Sequence, residues 1–543
     1  MRHFAVLCLA VIVCGWMYSC QQQNGQPDSG QVDQPGIKLT GKYLAHIELD
    51  STTLIASEVV NGLEVPWDLT VGPDGWVWFN EQRGTVSRVN PETGKVQRLL
   101  EVPDMHMEGA RGLLSKVLHP ELEQHPYVYL HYVFGTEDLS TRLVRYTFDG
   151  DTLASPKIIL DELPGGIRHH GSRMMISPDY KLWMGTGEGG RSDLAQNPDS
   201  YHGKVLRMNL DGSVPDDNPI EGSRIWTSGH RNIQGITFGN EKIYISEHGP
   251  DTDDEVNLLQ KGGNYGWPNV LGYCNSEAER DYCRDSLIIE PIVAFNPVVA
   301  PAGMEYYDHD AIPEWKNTLL LTSLRIQTLR VLELNEVGEH VDEIRIFFQQ
   351  YFGRLRDIAV SPDGKVFLAT SNMDWYKEFR PEIHDPQLVE KGDRIIMLQK
   401  ADEDLMAHLS DIDEKIVLEE DPVPLYLGDA DISDEMEAGQ QMYLSYCSSC
   451  HGSEGEGAGD YIPGLVDSEV AAGNRDRLIE VMLNGISLQE RSGGQDFVWE
   501  MPAYSNLDDG EIAAILNYIR REFTHQTDTF EPADIRHIRE ETD

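Results

Sequence analysis

Residues 361–370 read Ser-Pro-Asp-Gly-Lys-Val-Phe-Leu-Ala-Thr, a tight turn followed at once by a run of strand-forming residues. The same pattern recurs as GPDG before WVWFNE from Gly72 and as SPDY before KLWMGTG from Ser177, and residues 236–247, ITFGNEKIYISE, are a fourth copy. Their offsets are uneven but fit repeats of roughly 50 residues. Radial repetition of strand pairs protects the sheet edges, which favours a β-propeller over a two-sheet sandwich. We therefore predict an all-β propeller over residues 41–400.

The length and charge of the chain limit its organisation and its partners. The 543 residues are enough for about three domains of ordinary size. The 91 Asp and Glu exceed the 44 Lys and Arg, which gives a formal charge of −47. Such a chain repels polyanions, so we do not expect a nucleic-acid partner. The acidity is typical of a soluble surface, with electrostatic steering of a basic partner as the alternative.

The N-terminal segment is typical of an export signal. Its apolar run, residues 4–17, is shorter than the roughly 20 residues that span a bilayer. A small residue and Cys20 follow the run, which resembles a bacterial lipoprotein signal at residues 1–20 before a flexible linker at 21–40. We expect an exported protein held to a bacterial membrane by lipid on Cys20, facing the periplasm or the cell surface. A plain secretory signal is the alternative.

Export also bears on the cysteines. Cys274 and Cys283 lie nine residues apart in a polar segment. An oxidising compartment would let them close a structural disulfide, and two free thiols are the alternative.

Cys447, Cys450 and His451 form a CxxCH motif. Its two thiols can bond to the vinyl groups of a haem while the histidine ligates the iron from one face. A redox CxxC or half of a zinc site are the alternatives, and the absence of a second cysteine pair disfavours zinc. The motif predicts a covalently attached haem c.

The surroundings of the motif resemble a small class I cytochrome c. A helical pattern at 435–446 leads into it, a glycine-rich loop follows, and an amphipathic helix is expected at 508–521. The resemblance implies Met501, which precedes a proline, as the second axial ligand. Met482 is a rival, but it lies in an apolar helical pattern that favours a core position. A His/Met pair is typical of electron transfer.

These observations predict a small all-α cytochrome c domain at residues 434–524. An acidic, proline-containing connector at 401–433 would separate it from the propeller, and an acidic tail would follow at 525–543.

One 40-residue block of the propeller segment carries the motifs of a known enzyme family. It contains GHRNIQG from Gly229, SEHGP from Ser246, DDEVNL from Asp253 and GGNYGWP from Gly262, and GRLRD follows later from Gly353. This closely resembles the soluble quinoprotein glucose dehydrogenases and aldose sugar dehydrogenases, the glucose/sorbosone dehydrogenase family. The resemblance covers nearly the whole segment and implies a six-bladed propeller that binds pyrroloquinoline quinone and calcium.

The resemblance also implies the site residues. Oxidising a sugar hemiacetal needs a base, a cation and a hydride acceptor at one place. His169 falls at the position of the catalytic base, Glu188 at that of an aspartate that orients it, and Arg231 at that of an arginine over the reacting centre. The implied cofactor-binding residues are Asn232, Arg325, Arg354 and Arg356, and the implied calcium ligands are the backbone carbonyls of Gly249 and Pro250.

Several positions depart from the family pattern. Glu188 is longer than the usual aspartate, and Arg325 stands where a lysine is usual. Ala110 replaces a glutamine of the glucose enzymes, and Arg168 replaces an aspartate before the base. Because a hydroxyl-reading site loses discrimination when a polar partner is missing, glucose itself is not the expected substrate.

Together these features predict an enzyme with two redox centres. We expect it to oxidise an aldose or oligosaccharide to a lactone, pass electrons to its own haem, and deliver them to an external respiratory acceptor. Oxidation of another alcohol or aldehyde with the same cofactor is one alternative. A non-catalytic carbohydrate-binding propeller is another.

Overall fold

The computed structural model describes most of the chain from residue 42 onward. It covers 42–402 with gaps at 136–138, 167, 251, 276, 297 and 379–383, then 421–423, and then 439–542 with gaps at 441, 444–445, 448–450, 452–454, 456–463, 467, 469, 493–494, 502–503, 505–506 and 527. The predicted lipoprotein signal with Cys20, the linker at 21–40, most of the connector at 401–433 and the motif residue Cys450 lie outside the described residues.

The described strands of the propeller segment follow one another through short turns. In chain order they are β1 (Lys42–Glu48), β2 (Thr53–Leu63), β3 (Pro66–Val71), β4 (Val77–Glu81), β5 (Thr85–Val89), β6 (Val96–Glu101), β7 (Leu113–Leu118), β8 (Tyr127–Phe134), β9 (Ser140–Phe148), β10 (Leu153–Leu163), β11 (Gly171–Ile176), β12 (Lys181–Thr186) and β13 (Lys204–Asn209). The next are β14 (Ile225–Ser228), β15 (Ile233–Gly239), β16 (Lys242–Glu247), β17 (Asp254–Leu258), β18 (Val293–Phe295), β19 (Pro301–Tyr307), β20 (Thr318–Ser323), β21 (Leu329–Leu334), β22 (Val341–Phe347), β23 (Leu355–Val360), β24 (Val366–Thr370), β25 (Asp393–Lys400) and β26 (Asp421–Val423). Two short helices accompany them, α1 (Glu277–Ser286) and α2 (Pro386–Lys391).

These strands form six antiparallel sheets, the blades of a propeller. Blades 1 to 5 are β3–β6, β7–β10, β11–β14, β15–β18 and β19–β22, and β26 adds an outer strand to blade 5. Blade 6 joins the two ends of the domain, because β23, β24 and β25 pair onward with β2 and β1. The first strands of successive blades contact one another around a closed ring. The predicted six-bladed propeller is confirmed.

The four repeated turns all lie between the first and second strands of a blade. In three of them the first residue accepts a backbone hydrogen bond from the fourth, for example Gly364 N to Ser361 O at 2.9 Å. The fourth residue has a left-handed backbone, φ 76° at Gly75, 81° at Gly364 and 57° at Tyr180. Glycine adopts this conformation without strain, which explains two of the three choices.

Buried charges occupy the centre of the ring. Asp68, Lys116, Arg173 and Asp357 come from the inner strands of blades 1, 2, 3 and 6, and all four are buried. The Arg173 guanidinium lies 3.3 Å from the Asp68 carboxylate and 3.1 Å from that of Asp357. Lys116 Nζ donates to Asp68 at 2.9 Å. Removing one partner of such a network leaves an uncompensated buried charge, so the ring depends on all four side chains.

The C-terminal part has an apolar core of its own. It contains α3 (Arg475–Asn484), the hairpin β27 (Ile486–Ser492) and β28 (Gln495–Met501), α4 (Asp509–Phe523) and α5 (Pro532–Thr542). Asp508 and Glu511 form a capping box at the start of α4. The helical character agrees with the predicted cytochrome domain, and the hairpin is an addition that the all-α prediction lacked.

The predicted acidic tail at 525–543 is wrong for most of its length. Phe530 and Ile535 are fully buried in the same core as α4. The Asn517 side chain of α4 accepts from Phe530 N and donates to Phe530 O. Charged and polar residues separate Phe530, Ile535 and Ile538, and they obscure the spacing of these apolar residues in the sequence.

Cys274 and Cys283 are joined by a disulfide, as predicted. No helix among the described residues is long and apolar enough to cross a bilayer.

Glu305 on β19 generates a test of the ring. Burial, together with the nearby Asp357 and Asp68, raises the pKa of Glu305 from 4.5 to about 8. The folded state therefore binds more protons than the unfolded state between these pH values, so stability should fall as pH rises from about 5 to 8. The free energy of unfolding, measured with urea at pH 5 and pH 8, should decrease between these pH values in the unmodified protein. We expect this decrease to be smaller in Glu305→Gln by on the order of 2 kcal/mol.

The matched control is Glu333→Gln, which neutralises an exposed carboxylate on β21. It should leave the pH dependence as in the unmodified protein. If the free energy of unfolding of Glu305→Gln depends on pH as in the unmodified protein, the raised pKa of Glu305 is contradicted.

Candidate active site

The predicted site residues meet at one rim of the propeller. His169, Arg231 and Arg354 lie just before the inner strands of blades 3, 4 and 6. Glu188 and His248 lie just after the second strands of blades 3 and 4. Because these strands are antiparallel, the start of the first lies beside the end of the second. The topology therefore gathers residues from distant parts of the chain.

His169 and Glu188 form a hydrogen-bonded pair, Nδ1 to Oε1. The longer carboxylate at position 188 thus reaches the imidazole. The loop that carries the pair is tight, since His169 has a φ of 55° and its carbonyl accepts from Gly189 N at 3.0 Å. Burial, and the cations Arg231 and Arg168, lower the pKa of His169, against the raising effect of Glu188. The imidazole is therefore neutral near pH 7, with Nδ1–H donated to the carboxylate and Nε2 left as the basic atom.

Arg231 is fixed on the neighbouring blade. Its Nη1 donates to His248 O at 3.1 Å, its guanidinium lies 5.3 Å from the centre of the Trp267 ring, and its backbone N donates to Glu247 at 2.8 Å. Arg231 Nε is buried with no hydrogen-bond partner among the described residues. An unsatisfied buried donor on a charged group has a strong preference for an acceptor, so this side chain is suited to hold negative charge.

The Gly249-Pro250 turn is held by Asp254. One oxygen of this buried carboxylate accepts from Gly249 N at 2.8 Å and the other from Ala300 N at 2.7 Å. A Cβ on Gly249 would lie 2.0 Å from Thr252 O, so only glycine fits. A small, partly open crevice lies beside this turn and is also lined by acidic side chains. Its acidic lining consists of Glu247, Asp253 and Glu255.

The arginine pair is held from the opposite side of the rim. Asp374 Oδ2 accepts from Arg354 Nη2 at 2.8 Å and lies 3.2 Å from Arg356 Nη2. Although burial opposes it, the two guanidiniums hold the pKa of Asp374 below its ordinary value. Arg356 also lies 4.1 Å from the ring centre of Trp67. Two arginines share one carboxylate, which leaves one positive charge for an anionic ligand.

His248 shows that these groups are close together. Burial, with the charges of Arg231, Arg356 and His169 among the neighbours that act on it, lowers the pKa of His248 to about 3. Its Nε2 donates to Pro301 O at 2.8 Å. A neutral, fixed histidine therefore lies among the base, the single arginine and the arginine pair.

The remaining predicted residues lie at the same rim. Asn232 Oδ1 accepts from Gly171 N at 3.1 Å and from Gln234 Nε2 at 3.2 Å. Arg325 is half-buried and its charge acts on Asp254. Gln82 Nε2 donates to the carbonyls on both sides of Ala110, at 2.8 and 2.9 Å. The methyl group of Ala110 itself offers no hydrogen bond.

Sequence reasoning missed the residues that hold the predicted ones. Asp374, His248 and Asp254 each fix a predicted group. His248 and Asp254 lie inside the quoted motifs SEHGP and DDEVNL but had no predicted role, and Asp374 lies outside the quoted motifs. Asp251, Asp253, Asp254 and Glu255 form an acidic cluster in the sequence, and its composition fits an exposed loop and metal-ligating side chains equally well. The exposed alternative is wrong for Asp254 and Glu255, which are buried on β17. Val256 and Leu258, which share a strand face with Asp254, were the available signal.

The C-terminal motif also lies against its core. Cys447 is buried in the apolar cluster of this domain, and Met501 packs against that cluster from its edge. His451 N donates to Cys447 O at 2.9 Å, so these two residues of the motif lie close together. Met482 on α3 is 2% exposed within the cluster, as its apolar surroundings in the sequence indicate.

Comparison with known proteins supports both the propeller and the cytochrome c assignments. The family model "Glucose / Sorbosone dehydrogenase" matches residues 63–375, and "Cytochrome C oxidase, cbb3-type, subunit III" matches 434–519. Quinoprotein glucose dehydrogenase B of Acinetobacter calcoaceticus is 32% identical over 57% of this chain and 83% of that protein. Aldose sugar dehydrogenase YliI of Escherichia coli is 30% identical over 57% of this chain and 87% of that protein.

A solved structure agrees with these relatives. The PQQ-bound aldose sugar dehydrogenase of Streptomyces coelicolor superposes with a TM-score of 0.55 at 30% identity, over 64% of this chain and 98% of that one. The predicted resemblance, with a cytochrome c domain at the C-terminus, is confirmed.

The His169–Glu188 pair generates a prediction about proton affinity. We expect the pKa of His169 to lie below 6.5, because burial disfavours its charged form. Glu188→Gln removes the carboxylate that raises this pKa, so it should lower the proton affinity of His169 further, by about tenfold. NMR titration of histidine-labelled protein measures this, with His169→Gln assigning the signal. Glu92→Gln, at an exposed turn, is the control, and an increased pKa in Glu188→Gln would contradict the pairing.

Proposed function

Because the chain belongs to the glucose/sorbosone dehydrogenase family, we propose that it oxidises an aldose or oligosaccharide to a lactone and passes the electrons to a haem c in its own C-terminal domain. The observation that carries this proposal is the meeting of the neutral His169–Glu188 pair, Arg231 and the Arg354–Arg356 pair around His248. A base, a cation and an anion-binding pair at one rim are what the oxidation of a hemiacetal requires.

The proposed organic cofactor is pyrroloquinoline quinone, which bears three carboxylates. When bound, it supplies an electrophilic carbon that accepts hydride from the substrate. Arg354 and Arg356 would hold its carboxylates, with Arg325 and Asn232 as further contacts. Asp374 keeps the two guanidiniums in place before the cofactor binds. The excess of positive charge over this single carboxylate fits a polyanionic group.

The proposed calcium would bind at the Gly249-Pro250 turn. Backbone carbonyls are hard oxygen ligands of the kind that calcium prefers. Asp254 fixes the turn through Gly249 N, and the acidic lining of the adjacent crevice favours a cation. A bound cation would act as a Lewis acid on an adjacent carbonyl oxygen.

The chain's own residues then handle the proton. His169 Nε2 removes the proton of the anomeric hydroxyl as hydride leaves the same carbon, which converts the hemiacetal to the lactone. Glu188 stabilises the imidazolium that forms, since its carboxylate accepts from Nδ1. Arg231 stabilises negative charge at the reacting centre through its unpartnered Nε.

The cytochrome domain would take the two electrons one at a time. Cys447 and Cys450 would attach the haem, and His451 and Met501 would ligate its iron. Cys447 and Met501 lie at one apolar core and His451 N donates to Cys447 O, which fits this donor set. An external respiratory acceptor would then receive the electrons.

We also propose that the protein is exported and held to a bacterial membrane by lipid on Cys20. This proposal is supported by the sequence of residues 1–20.

The decisive experiment follows haem absorbance in the purified full chain loaded with calcium and the quinone. Addition of an aldose should reduce the haem, and His169→Gln should slow this reduction by a factor on the order of 1,000 because the base is lost. The rate should fall as pH drops through the lowered pKa of His169, since the imidazolium cannot accept a proton. Dithionite should still reduce the haem of the variant.

Exposed His125 provides a control, and His125→Gln should reduce its haem like the unmodified protein. If no aldose reduces the haem although both groups are bound, sugar oxidation is the wrong function.

Variants of two methionines test which of them ligates the haem iron. Met501→Ala should lower the haem potential and remove the thioether absorption band, since a sulfur ligand raises the potential. Met482→Ala should keep that band but destabilise the domain by about 2–5 kcal/mol, because it leaves a cavity in the core. Potentiometry and chemical unfolding distinguish the two. If Met482→Ala loses the thioether absorption band and Met501→Ala keeps it, Met482 is the ligand and the assignment to Met501 is wrong.

A further inference from the structure

Arg168 is an exposed arginine directly before the base His169. Its guanidinium lies over the loop after β12, where its Nε is 3.9 Å from the position a Cβ on Gly190 would take. Gly190 N in turn donates to the Glu188 carboxylate at 3.2 Å. Arg168 therefore lies beside the His169–Glu188 pair, on the outer side of the rim.

The charge of Arg168 has no compensating partner in the part of the chain that the structure describes. No carboxylate there lies within ion-pair distance of its guanidinium, whereas nearby Arg191 pairs with Asp193 at 3.2 Å. Glu188 is engaged by His169. Arg168 also lowers the pKa of both His169 and Arg231, after the larger effect of burial, so its field reaches the reacting centre. In a chain of formal charge −47, this leaves a local excess of positive charge at the mouth of the site.

Arg168 is separated from the three arginines assigned to the cofactor, whereas Asn232, a further proposed contact, accepts from Gly171 N of blade 3. Arg325, Arg354 and Arg356 belong to blades 5 and 6, whereas Arg168 belongs to blade 3 with the base. A carboxylate that approaches Arg168 would thus belong to the molecule that His169 deprotonates. In a hexuronic acid, the anomeric carbon and the carboxylate-bearing carbon flank the same ring oxygen. Two adjacent residues of the chain can therefore reach both groups.

We propose that Arg168 is a specificity-determining residue that binds a carboxylate on the substrate, so that the enzyme prefers uronic acids to neutral aldoses. This inference rests on the proposed sugar oxidation. The flexible, exposed guanidinium is suited to a bidentate contact with a carboxylate. The methyl group of Ala110, at the position where the glucose enzymes have a glutamine, cannot bind a sugar hydroxyl, so the charged contact has more weight in the choice between sugars.

The test compares matched acid and neutral sugars on the fully loaded full-length protein. The measured quantity is the ratio of kcat/KM for D-glucuronate to that for D-glucose, with D-galacturonate and D-galactose as the second pair. We expect the ratio to exceed one and to fall by about tenfold in Arg168→Gln, as expected for one charge-assisted contact. Arg168→Glu should lower it further, because the carboxylates repel. Raising the salt from 50 to 500 mM should reduce the preference of the unmodified protein.

Arg191→Gln is the matched control, since it removes the same charge from an exposed, ion-paired arginine nearby. It should leave the ratio unchanged. A ratio that is equal in Arg168→Gln and the unmodified protein, or that falls equally in Arg191→Gln, overturns the proposal.

Calorimetric binding of D-glucuronate and D-glucose separates this proposal from the proposed function. If no sugar is oxidised but glucuronate binds more tightly than glucose, and Arg168→Gln abolishes the difference, the carboxylate site stands and sugar oxidation fails. If glucose is oxidised and glucuronate neither binds nor reacts better, sugar oxidation stands and the carboxylate site fails. Absence of glucuronate binding also overturns the role of Arg168.

Discussion

The ion pairs of Arg173 are the interaction on which the propeller and its site both depend. Its guanidinium joins Asp68 of blade 1 to Asp357 of blade 6, across the place where the first and last blades meet. It also donates to the backbone carbonyls of Gln234 and Arg356. Since Arg356 belongs to the arginine pair proposed to bind the cofactor, the charge network at the axis helps to position that pair. A shift of blade 3 against its neighbours would displace both His169 and Arg356.

This arrangement explains which features the sequence could predict. The turns, the blade repeats and the CxxCH motif are local, so their residue types indicate structure without knowledge of distant partners. The partners of the site residues are not local. Asp374 accepts from Arg354 across 20 residues of the sequence, and His248 donates to Pro301 O across 53. Burial of Asp254 likewise depends on strand pairing, which an acidic composition conceals.

The C-terminal domain also shows that local sequence patterns predict elements but not the contacts between them. Its helix α4 was predictable from its acidic first turn and apolar spacing, since both signals lie within 15 residues. Its helix α5 was not predictable, because the burial of Phe530 and Ile535 depends on their packing against α4, which the local sequence does not indicate. The family resemblance supplied Met501 over Met482, and the buried position of Met482 agrees with that choice.

The cations around His169 create a coupling between the substrate and the base. Arg168 and Arg231 both lower the pKa of His169, which keeps the imidazole deprotonated but weakens it as a base. A negative charge bound at Arg168 would offset part of that field and raise the basicity of His169 while substrate is present. A carboxylated sugar would thus meet a stronger base than a neutral one does. The same guanidinium can therefore act on both binding and proton transfer, and an arginine in place of an aspartate inverts the electrostatics of the rim.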